Sequence, residues 1–173
     1  MKQIKVSTFA QLPIPLVVAT TNLSLGKVVY FQKGLLAPAV AASGCIPGLF
    51  RPVKIEDSYY VDRHILDLLP VVFTRSLWHP TVGVAVNIAN HIKPSAIIEG
   101  SNVVNRCIEI AYASHIKKAL KCSDVVSDLY FEDIPASLWI TKKVANTLYT
   151  QGSAAAQKMV PAIRQALAQV IAP

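Results

Sequence analysis

Leu12–Phe31 reads LPIPLVVATTNLSLGKVVYF. The run Leu16-Val17-Val18-Ala19 is continuous, apolar and partly β-branched, and it lies between Pro13 and Pro15 on one side and Thr20-Thr21-Asn22 on the other. A short apolar run bounded by breakers reads as a buried strand rather than a helix. Val28–Phe31 reads as a second strand, reached through Ser24-Leu25-Gly26.

Working outward, the alanine-rich segment Leu36–Ser43 predicts a short helix ended by Gly44, and Pro47-Gly48 predicts a turn. Val53–Ile55 and Tyr59–Val61 form an expected hairpin around Glu56-Asp57-Ser58. Pro70 suits the first turn of a helix running to Leu77. Thr81–Ile88 reads as a strand with both faces apolar, and Ser101–Leu120 as a long helix free of Pro and Gly. Asp124–Val126 is a short strand candidate. Ser137–Tyr149 and Ala154–Val170 read as two further helices, with Met159, Ile163, Leu167 and Val170 marking one face of the second.

Strands alternating with helices imply an α/β layered fold around a buried, largely parallel sheet, with helices concentrated in the C-terminal half. At 173 residues the chain is expected to form one domain, residues 1–173, without repeat, linker or internal boundary. Strands crowd the first half, as if the chain were the later portion of a longer α/β domain.

Composition narrows the function classes. Hydrophobic residues make up 53% of the chain, and mean hydropathy is +0.42, a level that suggests a buried sheet or a surface awaiting a partner or lipid. The longest uncharged run, Val6–Gly26, is interrupted by prolines and the Thr-Thr-Asn cluster, so no membrane span is expected. The start lacks the apolar core of a secretory signal. Three cysteines, Cys45, Cys107 and Cys122, without Cys-x-x-Cys spacing argue against a disulfide framework or zinc site and favour a reducing, cytoplasmic location. The net charge of +7 comes from scattered basic residues, clustered only at Lys117-Lys118, Lys121 and Lys142-Lys143. Solvated helix faces explain that pattern better than a nucleic-acid surface, and no nucleic-acid partner is expected.

The chemistry centres on Tyr60–Val71, YVDRHILDLLPV. A short β-rich run delivers Asp62, which could cap a turn or serve as a base. Four blocks follow one another in order: LPIPLVVATTNLSLGKVVYF, GLLAPAVAASGCIPGLFRPV, YYVDRHILDLLPV and TVGVAVNI. Together they resemble the second half of a patatin-like phospholipase domain. The matching features are Thr-Asn-Leu before a Gly-Lys hairpin, an Ala-Ser-x-x-Ile-Pro-Gly-x-Phe-x-Pro block at Ala42–Pro52, and a Val-Asp pair. The resemblance is close from Phe9 to about Ile88 and looser in the helical tail.

The resemblance implies a three-layer α/β/α scaffold and a serine–aspartate dyad. In such enzymes the carboxylate accepts the serine proton directly, the hydroxyl attacks an acyl ester, and backbone amides hold the oxyanion. Asp62 stands at the position of that aspartate. The chain departs from the pattern in three ways. It contains no Gly-x-Ser-x-Gly and no glycine-rich loop, Arg63 and His64 replace the usual glycines, and Asp67-Leu68 replaces Asn-Asn. His64 is expected to point away from Asp62, so that neither Ser43 nor Ser58 completes a new triad. His79, His91 and His115 read as surface or hydrogen-bonded histidines, and Tyr59, Tyr60, Trp78 and Trp139 as packing residues. No cofactor or metal is expected.

Two functions remain open. One is a lipid or ester hydrolase that is inactive until a nucleophile-bearing fragment complements it, with self-association through bare N-terminal strands in Val6–Gly26. The other is a non-catalytic scaffold that binds a lipid or protein. Either is compatible with a peripheral place at a membrane surface.

Overall fold

The structure is a computed structural model that describes residues 6–78, 80–88, 100–131 and 141–171. The chain forms two compact units, Met1–Leu68 and Leu69–Pro173.

The first unit is built on a four-stranded sheet. Its strands are β1 (Val18–Asn22), β2 (Lys27–Phe31), β3 (Val53–Ile55) and β4 (Ser58–Asp62), in the order β2-β1-β4-β3. β1 is buried at all five positions and pairs on both edges, with Thr20 opposite Val29 on one side and Asp62 on the other. Helix α1 (Leu36–Ser43) packs across β1 and β4. It starts with Pro38 in its first turn and presents Ala39 and Ala42, both buried, so that backbone approaches backbone closely. Phe9, Val18, Leu36 and Ala39 form the core, with Val6, Leu12 and Phe31 packed around it. Gly48 at φ +81° allows the turn after Pro47, and Glu56 takes a positive φ of 53° in the two-residue β3–β4 turn.

Every pair in this sheet is antiparallel. The expected largely parallel sheet is therefore corrected here. The reason lies in the connections, since β1–β2 and β3–β4 are joined by tight turns that only antiparallel neighbours permit. The segment expected to be bare is divided. Val18–Asn22 is interior, while Ile14 and Leu25 in the flanking loops are exposed.

Among the described residues, parallel pairing is confined to the second unit. β5 (Val82–Ile88) and β6 (Val125–Phe131) run in parallel register from Val82 opposite Val125 to Ile88 opposite Phe131, with helix α3 (Gly100–Leu120) between them in sequence. Helix α2 (Val71–Leu77) precedes β5 and has Pro70 at its N-cap. Asp124 fastens the beginnings of both strands. Its Oδ2 accepts from Thr81 N–H at 2.7 Å and Thr81 Oγ1 at 2.9 Å, and its Oδ1 lies 3.0 Å from Arg75 Nη1.

Residue alternation corrects the two-sided reading of β5. Thr81, Gly83 and Ala85 are buried while Val82, Val84 and Val86 are exposed. β6 runs past the expected Asp124–Val126 to Phe131. The two C-terminal helices are one, α4 (Lys142–Ile171), which continues through Gly152 and Pro161. A single helical glycine costs only about 1 kcal/mol, too little to stop an alanine-rich helix that also packs on β6. The first residues of the expected Ser137–Tyr149 helix lie outside the described residues.

Two substitutions test the packing. Val18→Asp is expected to place an unpaired charge in the first unit's core and to lower its stability by about 3 kcal/mol or more in urea unfolding. A Cβ on Gly83 would meet Ser123 Oγ at 2.1 Å and Ser123 Cβ at 3.0 Å. Gly83→Ala is therefore expected to destabilise the second unit by about 1–3 kcal/mol, read as a lower Tm.

Candidate functional site

Asp62 is the last residue of β4. Its position is fixed from two sides, by pairing with Thr20 of β1 and by donation of its backbone N–H to the carbonyl of Cys45 at 2.9 Å, just beyond α1. The chain then tightens into a 3-10 turn, Arg63–Ile65, for which Asp62 is the N-cap. Asp62 Oδ1 accepts from the backbone N–H of His64 at 3.1 Å, the two-residue return that aspartate favours at a turn.

That turn brings the His64 ring back to the carboxylate, with Nδ1 2.5 Å from Asp62 Oδ1. The expectation that His64 points away is thus overturned. The signal was present in the Asp-x-His spacing, because a turn that returns the amide of residue i+2 also returns its side chain. An ionised carboxylate only accepts, so the imidazole proton lies on Nδ1 in the neutral ring. The Asp62 side chain is 12% exposed and that of His64 is 50% exposed.

Opposing effects act on the Asp62 carboxyl. Burial raises its pKa, but the side-chain and backbone hydrogen bonds of His64, followed by the charges of His64 and Arg63, outweigh burial and hold it below the ordinary 3.8. The site therefore keeps an ionised, oriented carboxylate beside an imidazole.

Arg63 closes the turn from the other direction. Its Nη1 donates to the carbonyls of Asp67 at 3.1 Å and Leu68 at 2.6 Å. Asp67 Oδ2 accepts from the Tyr30 hydroxyl at 2.6 Å. Burial first, and then the Asp67 carboxylate, push the Tyr30 phenol far up, with Arg63 opposing. Arg63 and His64 thus both hold the turn after Asp62.

The strand beside Asp62 carries buried polar residues. Thr20, Thr21 and Asn22 are all buried. Thr20 Oγ1 donates to Val29 O at 3.3 Å, and Asn22 Oδ1 accepts from Leu25 N–H at 3.0 Å. Thr21 Oγ1 has no partner among the described residues.

Neither candidate serine hydrogen-bonds Asp62 among the described residues. Ser58 starts β4, opposite Ile55, while Asp62 ends it. Four residues of strand separate them by roughly 13 Å. Ser43 ends α1. Cys45 is buried, and its thiol donates to Arg51 O at 3.2 Å.

The aromatic expectations divide. Tyr60 packs edge to face on Phe31, with centroids 5.3 Å apart, whereas Tyr59 and Trp78 are exposed. His115 is exposed, and His79, His91 and Trp139 lie outside the described residues.

The Asp62–His64 contact makes stability depend on pH. Because the folded pKa of Asp62 lies below its ordinary 3.8, its stabilising contribution is present above that pH and is lost as pH falls through the folded value. His64→Ala removes the contact that keeps the pKa low. Urea midpoints measured against pH should rise less steeply between the folded pKa and about pH 4 in this variant than in the parent chain.

No family model matches the chain. An uncharacterized NTE family protein of Mycobacterium bovis is 44% identical over 61 residues, which is 35% of this chain and 17% of that relative. Uncharacterized NTE family proteins of two Mycobacterium tuberculosis strains match to the same extent. The chain therefore matches about one-sixth of the length of these curated relatives. Over a third of its own length, the chain is similar to proteins of the NTE family.

Proposed function

We propose that the chain is the aspartate-bearing part of a patatin-like serine acyl hydrolase of the phospholipase A or lysophospholipase type, acting on carboxylic esters of lipids. NTE family proteins are patatin-like phospholipase relatives, which supports the family. The observation that carries the reading is Asp62 itself. It is a strand-end carboxylate, shielded from solvent and held ionised by its neighbours. An ionised, oriented carboxylate can accept a hydroxyl proton, although the lowered pKa makes it a weaker base than a free one. In this reading a serine supplied by a Gly-x-Ser-x-Gly segment attacks the ester carbonyl, Asp62 takes the serine proton, and an oxyanion loop from the same segment stabilises the tetrahedral intermediate. The 173 residues contain no such segment, so in this reading the nucleophile and oxyanion loop come from outside them. One domain of three-layer α/β/α type completed in this way is part of the proposal, as is self-association through the open edge of β2.

One observation favours a second reading, a scaffold that binds a lipid or protein without catalysis. Asp62 Oδ1 is already engaged twice by His64, and Arg63 and His64 stand where the family has glycine. A serine would have to use the other carboxylate oxygen or displace the ring.

A hydrolysis assay separates the two. The isolated chain should release no p-nitrophenol from p-nitrophenyl esters and no fatty acid from phospholipid. Co-expression with a patatin-like nucleophile-bearing segment should restore turnover, and Asp62→Asn should abolish it again by at least about a hundredfold. Turnover by the isolated chain that survives Asp62→Asn would refute the reading. Stable co-assembly with no turnover would favour the scaffold.

A further inference from the structure

Helix α4 is 30 residues long and packs on β6, which has 7. The helix rises roughly 45 Å and the strand roughly 23 Å, so one strand cannot cover the helix along its length. Val144, Leu148, Ala155, Met159 and Ile163 are half-buried and recur at helical spacing. A second apolar row stays in solvent. Tyr149 is 77% exposed, Val160 41% and Leu167 45%, with exposed Ala156 between them. At 3.6 residues per turn these four positions fall within a roughly 40° sector, beside the half-buried row. The face read from the sequence through Met159, Ile163, Leu167 and Val170 is thus split, because Leu167 and Val170 remain exposed.

Charge identifies the occupant of this row. From Thr141 to Ile171 the chain carries Lys142, Lys143, Lys158 and Arg164 and no Asp or Glu. This one helix therefore holds +4 of the chain's net +7. On the helical projection Lys142 lies in line with the exposed row, Arg164 lies about 60° and Lys143 about 120° to one side of it, and Lys158 faces away. Two copies packed through this row would bring like charges together. An apolar stripe whose only charged neighbours on the helix are cations is complementary to a surface that is apolar within and anionic at its rim. No helix among the described residues is long and apolar enough to cross a membrane.

We propose that α4 lies in the plane of an anionic lipid bilayer, with Tyr149, Val160 and Leu167 inserted among the upper acyl chains. Lys142, Lys143 and Arg164 then reach the lipid phosphates, and their aliphatic stems cover the border of the stripe. The contact delivers the chain to a lipid surface whether or not Asp62 takes part in hydrolysis.

Co-sedimentation of the full chain with lipid vesicles tests this, and its outcome is independent of any esterase result. Binding to mixed phosphatidylglycerol–phosphatidylcholine vesicles should exceed binding to pure phosphatidylcholine vesicles by at least about tenfold and should weaken with added salt. Combined Tyr149→Ser, Val160→Ser and Leu167→Ser should reduce anionic-vesicle binding by roughly tenfold or more, with helicity unchanged by circular dichroism because all three sites are solvent-facing. Lys142→Gln, Lys143→Gln and Arg164→Gln together should produce a similar loss, and Lys158→Gln alone a much smaller one. Three results would overturn the proposal. These are equal binding to both vesicle types, unchanged binding by the serine variant, or a stripe that drives self-association or captures an acidic protein while vesicles stay unbound.

Discussion

β1 can neither be exposed nor be moved along its own axis without dismantling the first unit. It is hydrogen-bonded on both edges, and a one-residue slip would exchange Val18, Thr20 and Asn22 for Ala19 and Thr21 on the face they occupy. Thr20 is also the residue opposite Asp62, so the register of this strand sets where the carboxylate stands. α1 reinforces that setting through its alanines and through the Cys45 carbonyl that receives the Asp62 amide. Precision at the candidate site is thus inherited from a rigid sheet centre and not from the loop that follows.

The turn after Asp62 is held by hydrogen bonds from its own side chains. Glycines after a catalytic aspartate leave room for a substrate or nucleophile to approach backbone. Arg63 and His64 fill that space and satisfy groups the turn would otherwise leave open, Arg63 by capping two carbonyls and His64 by occupying one carboxylate oxygen. The result is a carboxylate that is well oriented and well guarded. Any partner that uses it must compete with an imidazole that costs nothing in chain entropy to bring near.

Local pattern made much of this visible in the sequence. The Leu36–Ser43 helix with its Gly44 stop and the β3–β4 hairpin follow from a bounded apolar run and turn residues, whereas β1 lies at Val18–Asn22, shifted past Leu16 and Val17 to take in the Thr20-Thr21-Asn22 cluster that was read as its end. Strand direction was less legible, because an apolar run reads the same in either orientation and only the length of each connection decides. Composition also misjudged β5. Val82, Val84 and Val86 look as buried as any core residues, yet alternate valines face solvent since a strand shows one apolar row to each side. At the candidate site, Asp62 was singled out through the surrounding blocks. The His64 contact was not, because it arises from the geometry of a turn and not from residue type.

Cys45 ties covalent chemistry to the state of this site. Its thiol is buried and bonded to Arg51 O, its carbonyl holds Asp62, and the chain's other cysteines are more accessible, Cys107 being exposed and Cys122 half-buried. A thiol reagent therefore meets Cys107 and Cys122 directly, but reaches Cys45 only when the end of α1 parts from β4. The slow phase of labelling is a clock for that opening, and its rate reads the free energy that keeps the Asp62 strand in place.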